Sequence, residues 1–322
     1  MNTSHEQSTA VMTAGQRPLS SAALAMLCLA TLLLQGCADD RPVAPQAFAS
    51  PQDAVLALTN AVRADDIRQL RAILGSDGEP IVSSGDDVAD RQGRQKFLTL
   101  YDEKHSLENK DANSATLIIG NSDWPFPVPI VRQGQEWVFD SESGIEEILN
   151  RRIGRNELST IQVCKAIADA QREFAMRDPN GDGMHEYAQQ FASDPGKRNG
   201  LYWPTAKDEK PSPLGELAAD AAAEGYTRKD QAPTPYHGYR YRILRAEGPH
   251  GPNGAVDYLV NGKMILGFAV VAYPAHYANS GVMTFIMGPD AVVFQKDLGE
   301  KTPELAAGMK AFDPGEGWKI VE

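Results

Sequence analysis

An apolar run from Leu19 through Leu34 (LSSAALAMLCLATLLL) breaks off at Gln35-Gly36-Cys37, and a polar, Pro-bearing stretch (ADDRPVAPQAFASPQ) follows it. This junction constrains the fold most, because it separates a membrane-directed segment from the residues that can build a core. The run is shorter than the roughly 20 residues a spanning helix needs, and Arg17 is the only Lys or Arg before it. A processed export segment is the reading, weighed against an uncleaved anchor and a plain secretory cleavage. Without residues 1–36, residues 37–322 remain, enough for one large or two ordinary domains. Of three cysteines, Cys28 leaves with the export segment and Cys37 sits at the cut, so Cys164 alone remains. No internal disulfide can form, and packing must hold the fold. The helical pattern around Cys164 puts it beside Ile153, Ile167 and Phe174, as a buried thiol.

Gly36 supplies a small residue before the cut and Cys37 a thiol at it, while Gln35 departs from the small residue usual there. The layout resembles a bacterial lipoprotein signal, which implies a diacylglycerol on the Cys37 thioether and anchoring in the cell envelope. In such signals an Asp directly after the Cys favours the inner membrane. Here Ala38 follows, with Asp39 next, which points to the outer membrane facing the periplasm. Two or more acyl chains anchor stably where one is marginal. The net charge of -12 is unchanged by processing, since Glu6 and Arg17 cancel. It excludes nucleic acid as a partner and basic-patch binding to anionic lipid. An envelope protein is the expected partner besides the membrane.

Periodicity predicts an α+β fold in two parts. After the signal (1–36) and a tether (37–49), an N-terminal α+β domain spans 50–142 and a helix-plus-sheet domain spans 143–322. Ser50-Pro51-Gln52-Asp53 has the form of a helix start. Helices over Asp65–Leu74 and Val88–His105 follow, then strands over Ala115–Ile119, Val128–Arg132 and Glu136–Phe139. The alternating Pro125, Pro127 and Pro129 predict a segment that pairs on one side only. A short helix (GIEEILNRRIG) then leads into a longer one from Asn156 to Arg177, with Glu157 and Gln171 as polar intrusions. Residues 178–235 are irregular apart from an Ala-rich helix around Leu214–Glu224. Strands return from Gly238, with a hairpin turn at Asn261-Gly262, one wet face where Arg240 and Arg242 alternate with Tyr239 and Tyr241, and a closing helix over Pro303–Phe312.

SPQDAV, VADRQGRQKF, DWPFPVP, EEILNRRIGRNEL, SDPGKRNGLYWP, PYHGYRYRIL and AYPAHYANSGVMTFI resemble the domain-of-unknown-function family 2950 over nearly the whole mature chain. That resemblance implies an exported bacterial protein and carries no chemistry. The first half, helices before a short antiparallel sheet, is similar in element order to the nuclear-transport-factor-2-like fold. Asn156-Glu157, Ala170-Gln171 and Phe174 before GYRYRIL, FAVVAYP and VMTFIMG resemble the soluble half of type IV pilins and pseudopilins. Arg151, Arg152 and Arg155 stand where a pilin has its apolar helix.

The sharpest chemical candidate is Asp178-Pro179-Asn180-Gly181-Asp182-Gly183-Met184-His185-Glu186. Side-chain oxygens at Asp178, Asn180 and Asp182, the Met184 carbonyl and Glu186 match the first half of a calcium loop. Gln189 stands where the bidentate acid would be, and a polar helix-ending turn is the alternative. The histidines beyond the signal (His105, His185, His237, His250, His276) lack ligand spacing. Trp124–Pro129 and Leu201–Pro204 are aromatic–Pro segments that could dock a peptide or glycan, or serve as packing. No catalytic residue is assigned. The function expected is a non-catalytic binding or assembly component, with an envelope hydrolase and a pseudopilin-like secretion subunit as alternatives. A buried acid near His105 would favour the hydrolase; a first core filled with Leu and Phe would favour binding.

Overall fold

Ser50 caps the first helix as its sequence predicts: its hydroxyl accepts the Asp53 N–H at 3.1 Å, and Pro51 begins α1 (Pro51–Arg63). The computed structural model describes residues 43–178, 181–224, 226 and 234–321, so Cys37 and the export segment lie outside it. Residues 43–49, expected as tether, are joined to the fold. Phe48 exchanges two backbone hydrogen bonds with Trp137 and is buried, and Ser76 N–H donates to Val43.

Helix α2 (Ile67–Leu74) is capped by Asp66 and buries Leu70, Ile73 and Leu74. A short α3 (Glu79–Val82) and the longer α4 (Asp87–Glu103) follow, α4 capped by Asp86. The chain then forms β1 (His105–Asp111), β2 (Ser114–Ile119), β3 (Trp124–Pro125), β4 (Ile130–Gln133) and β5 (Glu136–Phe139). These make one antiparallel sheet in the order β1-β2-β4-β5, with β3 also on β2. The predicted helix to His105 ends two residues early and β1 takes over. Leu107 is the only large apolar residue in β1, so alternation could not announce the strand; its pairing comes from the apolar β2. Trp124 and Pro125 pair on β2 alone, as the proline stretch predicts, while Pro129 already accepts the Asp140 N–H and from Ile130 β4 enters the sheet between β2 and β5. Leu58, Leu70, Ile73, Leu117, Ile119, Ile130 and Phe139 form the first core.

Where two helices are predicted, one 37-residue helix, α5 (Ser141–Arg177), runs unbroken. Gly154 weakens a helix by roughly 1 kcal/mol, but no proline interrupts it and tertiary bonds grip both sides. Gly144, in its first turn, lies so close to Val128 that a Cβ would come within 2.7 Å of the Val128 Cα. The C-terminal half of α5 buries Val163, Cys164, Ile167 and Phe174 in a second core. Its polar intrusions are bonded: Gln171 exchanges two 2.8 Å hydrogen bonds with Ala188, and Glu157 accepts the N–H groups of Val282 and Met283.

Beyond α6 (Gly215–Ala223) come β6 (Tyr239–Leu244), the ladder β7 (Ala246–Glu247) with β8 (Val256–Asp257), and the ladder β9 (Leu259–Val260) with β10 (Lys263–Met264). The β9–β10 turn is Asn261-Gly262, both at positive φ as a two-residue hairpin requires. Strands β11 (Ala269–Pro274), β12 (Met283–Met287), β13 (Val293–Asp297) and β14 (Lys319–Ile320) complete an antiparallel sheet ordered β14-β13-β12-β11-β6. Helix α7 (Thr302–Gly308) covers its other side. The face of β6 expected to be wet is therefore partly covered, and Arg242 donates to the Ala306 and Met309 carbonyls at the end of α7. The chain is α+β throughout, and no helix among the described residues is long and apolar enough to cross a membrane.

The two cores meet along a polar seam. Arg152 donates to Pro80 O and to Asn279 Oδ1 at 2.6 Å through one nitrogen and to Ile81 O at 3.1 Å through the other. Asn279 in turn donates to Ser83 O. Asp86, buried at 3 % exposure, accepts Val88 and Ala89 N–H on one oxygen and Tyr226 O–H and Gly238 N–H on the other. Replacing Arg152 with Met leaves two carbonyls and an amide without their donor, a loss of about 3 kcal/mol. Urea unfolding should register that loss, whereas Arg151→Ala, on an exposed pair with Glu147, should stay within about 0.5 kcal/mol.

Candidate binding cleft

The end of α5 and the irregular segment beyond it carry the densest chemistry. Asp178 ends the helix at positive φ, and its carboxylate accepts the N–H groups of Asp182 and Gly183. Asp182 accepts Met184 N–H at 3.0 Å and pairs with the Lys263 ammonium. That bond, reinforced by the charges of Asp182, Glu186 and Asp178, raises the Lys263 pKa. Four of the five residues expected as calcium ligands are thus placed: Asp178, Asp182 and Glu186 surround a lysine, and Met184 is exposed. Asn180 lies outside the described residues. Among those described, no group of three or more His, Cys, Asp or Glu is gathered as a metal site would need.

A few residues along, the fold forms an open cleft of about 280 Å³ lined by Arg177, Arg198, Trp203, Glu209 and Lys210. Of the two readings of Leu201–Pro204, packing holds for Leu201 (0 % exposed) and Trp203 (7 %), while Tyr202 is exposed. Phe174 of α5 meets the Trp203 ring edge-on at 6.5 Å, and Arg198 lies 5.6 Å from its centroid. Arg198 pairs with Glu209, and Glu173 receives Arg177 at 2.6 Å and Lys210 at 2.9 Å. Burial pushes the Glu173 carboxyl up, but the hydrogen bonds from Lys210 and Arg177 outweigh it and hold the pKa below the usual range. Three cations against two carboxylates leave the cleft positive around an indole whose buried Nε1 has no partner among the described residues. Such a site can hold an anionic group by charge-assisted hydrogen bonds.

The remaining candidates resolve into structure. Trp124 and Phe126 pack on the first core. Burial pushes the Cys164 thiol up to about 12, as expected of an inert core cysteine. His105 stacks on Tyr101 and contacts its carbonyl, His185 contacts Ala175 O, His250 pairs with Asp313 at 2.9 Å on the surface, and His276 sits over Gly85. Sequence reasoning missed the cleft, because Arg177, Arg198 and the Glu209-Lys210 pair come from three separate places in the chain; Trp203 near Arg198 was its only local signal.

Calcium at about 1 mM, the weak end of the protein range, is expected to shift the melting temperature no more than magnesium does, since Lys263 already supplies the loop's cation. A calcium-specific rise, lost in Asp182→Ala, would make the loop a calcium site.

No curated protein and no solved structure matches the chain. The model of one family, described as a protein of unknown function (DUF2950), matches residues 45–321, and the chain belongs to that family.

Proposed function

We propose that the protein is a lipid-anchored component of a bacterial cell envelope, held through Cys37 at the outer membrane and facing the periplasm, that binds a partner instead of transforming a substrate. The observation that carries binding is the Trp203 cleft, which Arg177, Arg198 and Lys210 line. Its ligand is a small carboxylate-bearing group, taken in exchange for part of the Glu173 and Glu209 pairing. At about 280 Å³ the cleft suits a side chain or terminal group of a larger partner.

The first core supports binding over hydrolysis. It is filled by Leu58, Leu70, Ile73, Leu117 and Phe139, and His105 is exposed at the start of β1. Its fold keeps the helices-then-sheet order of the nuclear-transport-factor-2-like reading, here with the interior packed. The second core keeps the pilin-like pairing of a long helix with an antiparallel sheet. The first half of α5, however, lies on the first core and donates Arg152 to it, which favours a binding role over assembly into a helix bundle.

Metabolic labelling with palmitate should mark the natural protein and not Cys37→Ser; label retained by the variant would reject the anchor. A photocrosslinking residue at Pro204, beside the cleft, should give partner adducts in intact cells that Arg198→Glu abolishes. The same residue at the exposed Leu56 of α1 should give none. Equal adducts from both positions, or none from Pro204, would remove the cleft as the binding site.

A further inference from the structure

Among the described residues, strand β6 is the last of its sheet and its strand partner is β11 alone. Four backbone hydrogen bonds fix which of its backbone groups face outward. Tyr239 exchanges N–H and C=O with Tyr236 at 3.1 and 2.9 Å, Ala275 N–H donates to Gly238 O, and Tyr258 N–H donates to Arg245 O. Alternate residues of an antiparallel strand turn their backbone groups to the same side. Tyr239, Tyr241, Ile243 and Arg245 therefore aim away from β11. The chain itself occupies the two ends of this edge, through Tyr236 and Tyr258. Between them the N–H and C=O of Tyr241 and Ile243 have no hydrogen-bond partner among the described residues.

A groove of about 540 Å³ runs along this edge, with Gln189, Gln190 and Phe191 on its far wall and Arg242, Arg245 and Lys310 about it. None of these three cations has a carboxylate partner among the described residues, although the chain as a whole carries a net charge of -12. Arg242 is committed to the end of α7, and its buried Nε has no partner among the described residues; Arg245 is exposed. An open strand edge beside unpaired cations is suited to adding a strand of opposite charge. A second copy fits poorly, because it would bring to this edge a surface carrying the same cations instead of the opposite charge.

We propose that the outer edge of β6 receives an extended acidic segment of a partner protein as an added strand, its backbone pairing with Tyr241 and Ile243 and its carboxylates facing Arg245 and Lys310. The groove shares no lining residue with the Trp203 cleft, so this site stands whether or not that cleft binds.

The test is fluorescence anisotropy on the full chain with a labelled peptide of alternating Val and Glu. Its comparators are the Val–Lys counterpart and two versions of the acidic peptide N-methylated on alternate residues. The acidic peptide should saturate, and the Val–Lys peptide should bind at least about tenfold more weakly. One N-methylated version should lose about tenfold or more, because it cannot donate to the Tyr241 and Ile243 carbonyls, while the other stays within about twofold. Arg245→Glu with Lys310→Glu should weaken the acidic peptide about tenfold at an unchanged melting temperature. Equal binding by both N-methylated peptides would reduce the site to charge attraction. No saturation up to about 1 mM, the weak limit of useful affinity, would overturn the proposal outright. So would a dimer in sedimentation that the acidic peptide dissociates, which would assign the edge to a second copy.

Discussion

Arg152 sits where α5 leaves one core and enters the other, and its guanidinium joins them. A planar fork reaches two carbonyls of the α3 segment and the Asn279 amide at once, which a lysine could not do with one ammonium. Burial lowers its pKa, the nearby Asp90 charge opposes that, and Asp90 is itself pushed up by burial while Ser84 donates to it twice. The seam is thus an ion pair at one remove, with protein dipoles between the charges. Such an arrangement is costly to break from one side, because the surviving groups stay buried. It fixes the helix at the point where its sequence is least apolar, and so fixes each core against the other.

The same logic explains polar residues that look misplaced along the chain. Glu157 and Gln171 fall on the apolar side of α5, yet each meets backbone groups at the edge of an element: the start of β12 for Glu157, the turn at Ala188 for Gln171. Glu247, at 3 % exposure, gathers the loop after β7 by accepting Asn253 N–H and Tyr258 O–H. Desolvation and that acceptor together raise the Tyr258 phenol. These polar side chains hold irregular backbone in place, which a fold without disulfides needs where regular ladders stop.

What the sequence made legible follows from this division. Caps, apolar stripes and turn pairs act locally, so α1, α2, the Asn261-Gly262 hairpin and the strands from β11 to β13 could be read from residues a few positions apart. The unity of α5 could not, because Gly154 and the Arg151-Arg152 pair look like a break until Pro80, Ile81, Asn279 and Ser280 are brought against them. β1 could not either, since an edge strand with one apolar residue borrows its order from β2. Of the chemical sites, the Asp178 loop was legible as a spacing of oxygens. Its internal cation comes from Lys263, on a hairpin far along the chain.

Charge placement links these features to binding. Cations near the end of α5 and in the adjoining segment are paired with acids: Lys263 with Asp182, Arg198 with Glu209, and Arg177 and Lys210 together with one Glu173. Exposed pairs of this kind add little stability, so their value lies in holding long side chains in place around Trp203. In the Glu173 pair one carboxylate serves two donors, which leaves a surplus of positive charge on a surface that is otherwise acidic. An anion approaching this protein meets repulsion over most of it and attraction at the few places where cations outnumber acids. The field of the whole molecule therefore favours the same places that the local geometry makes the proposed docking sites.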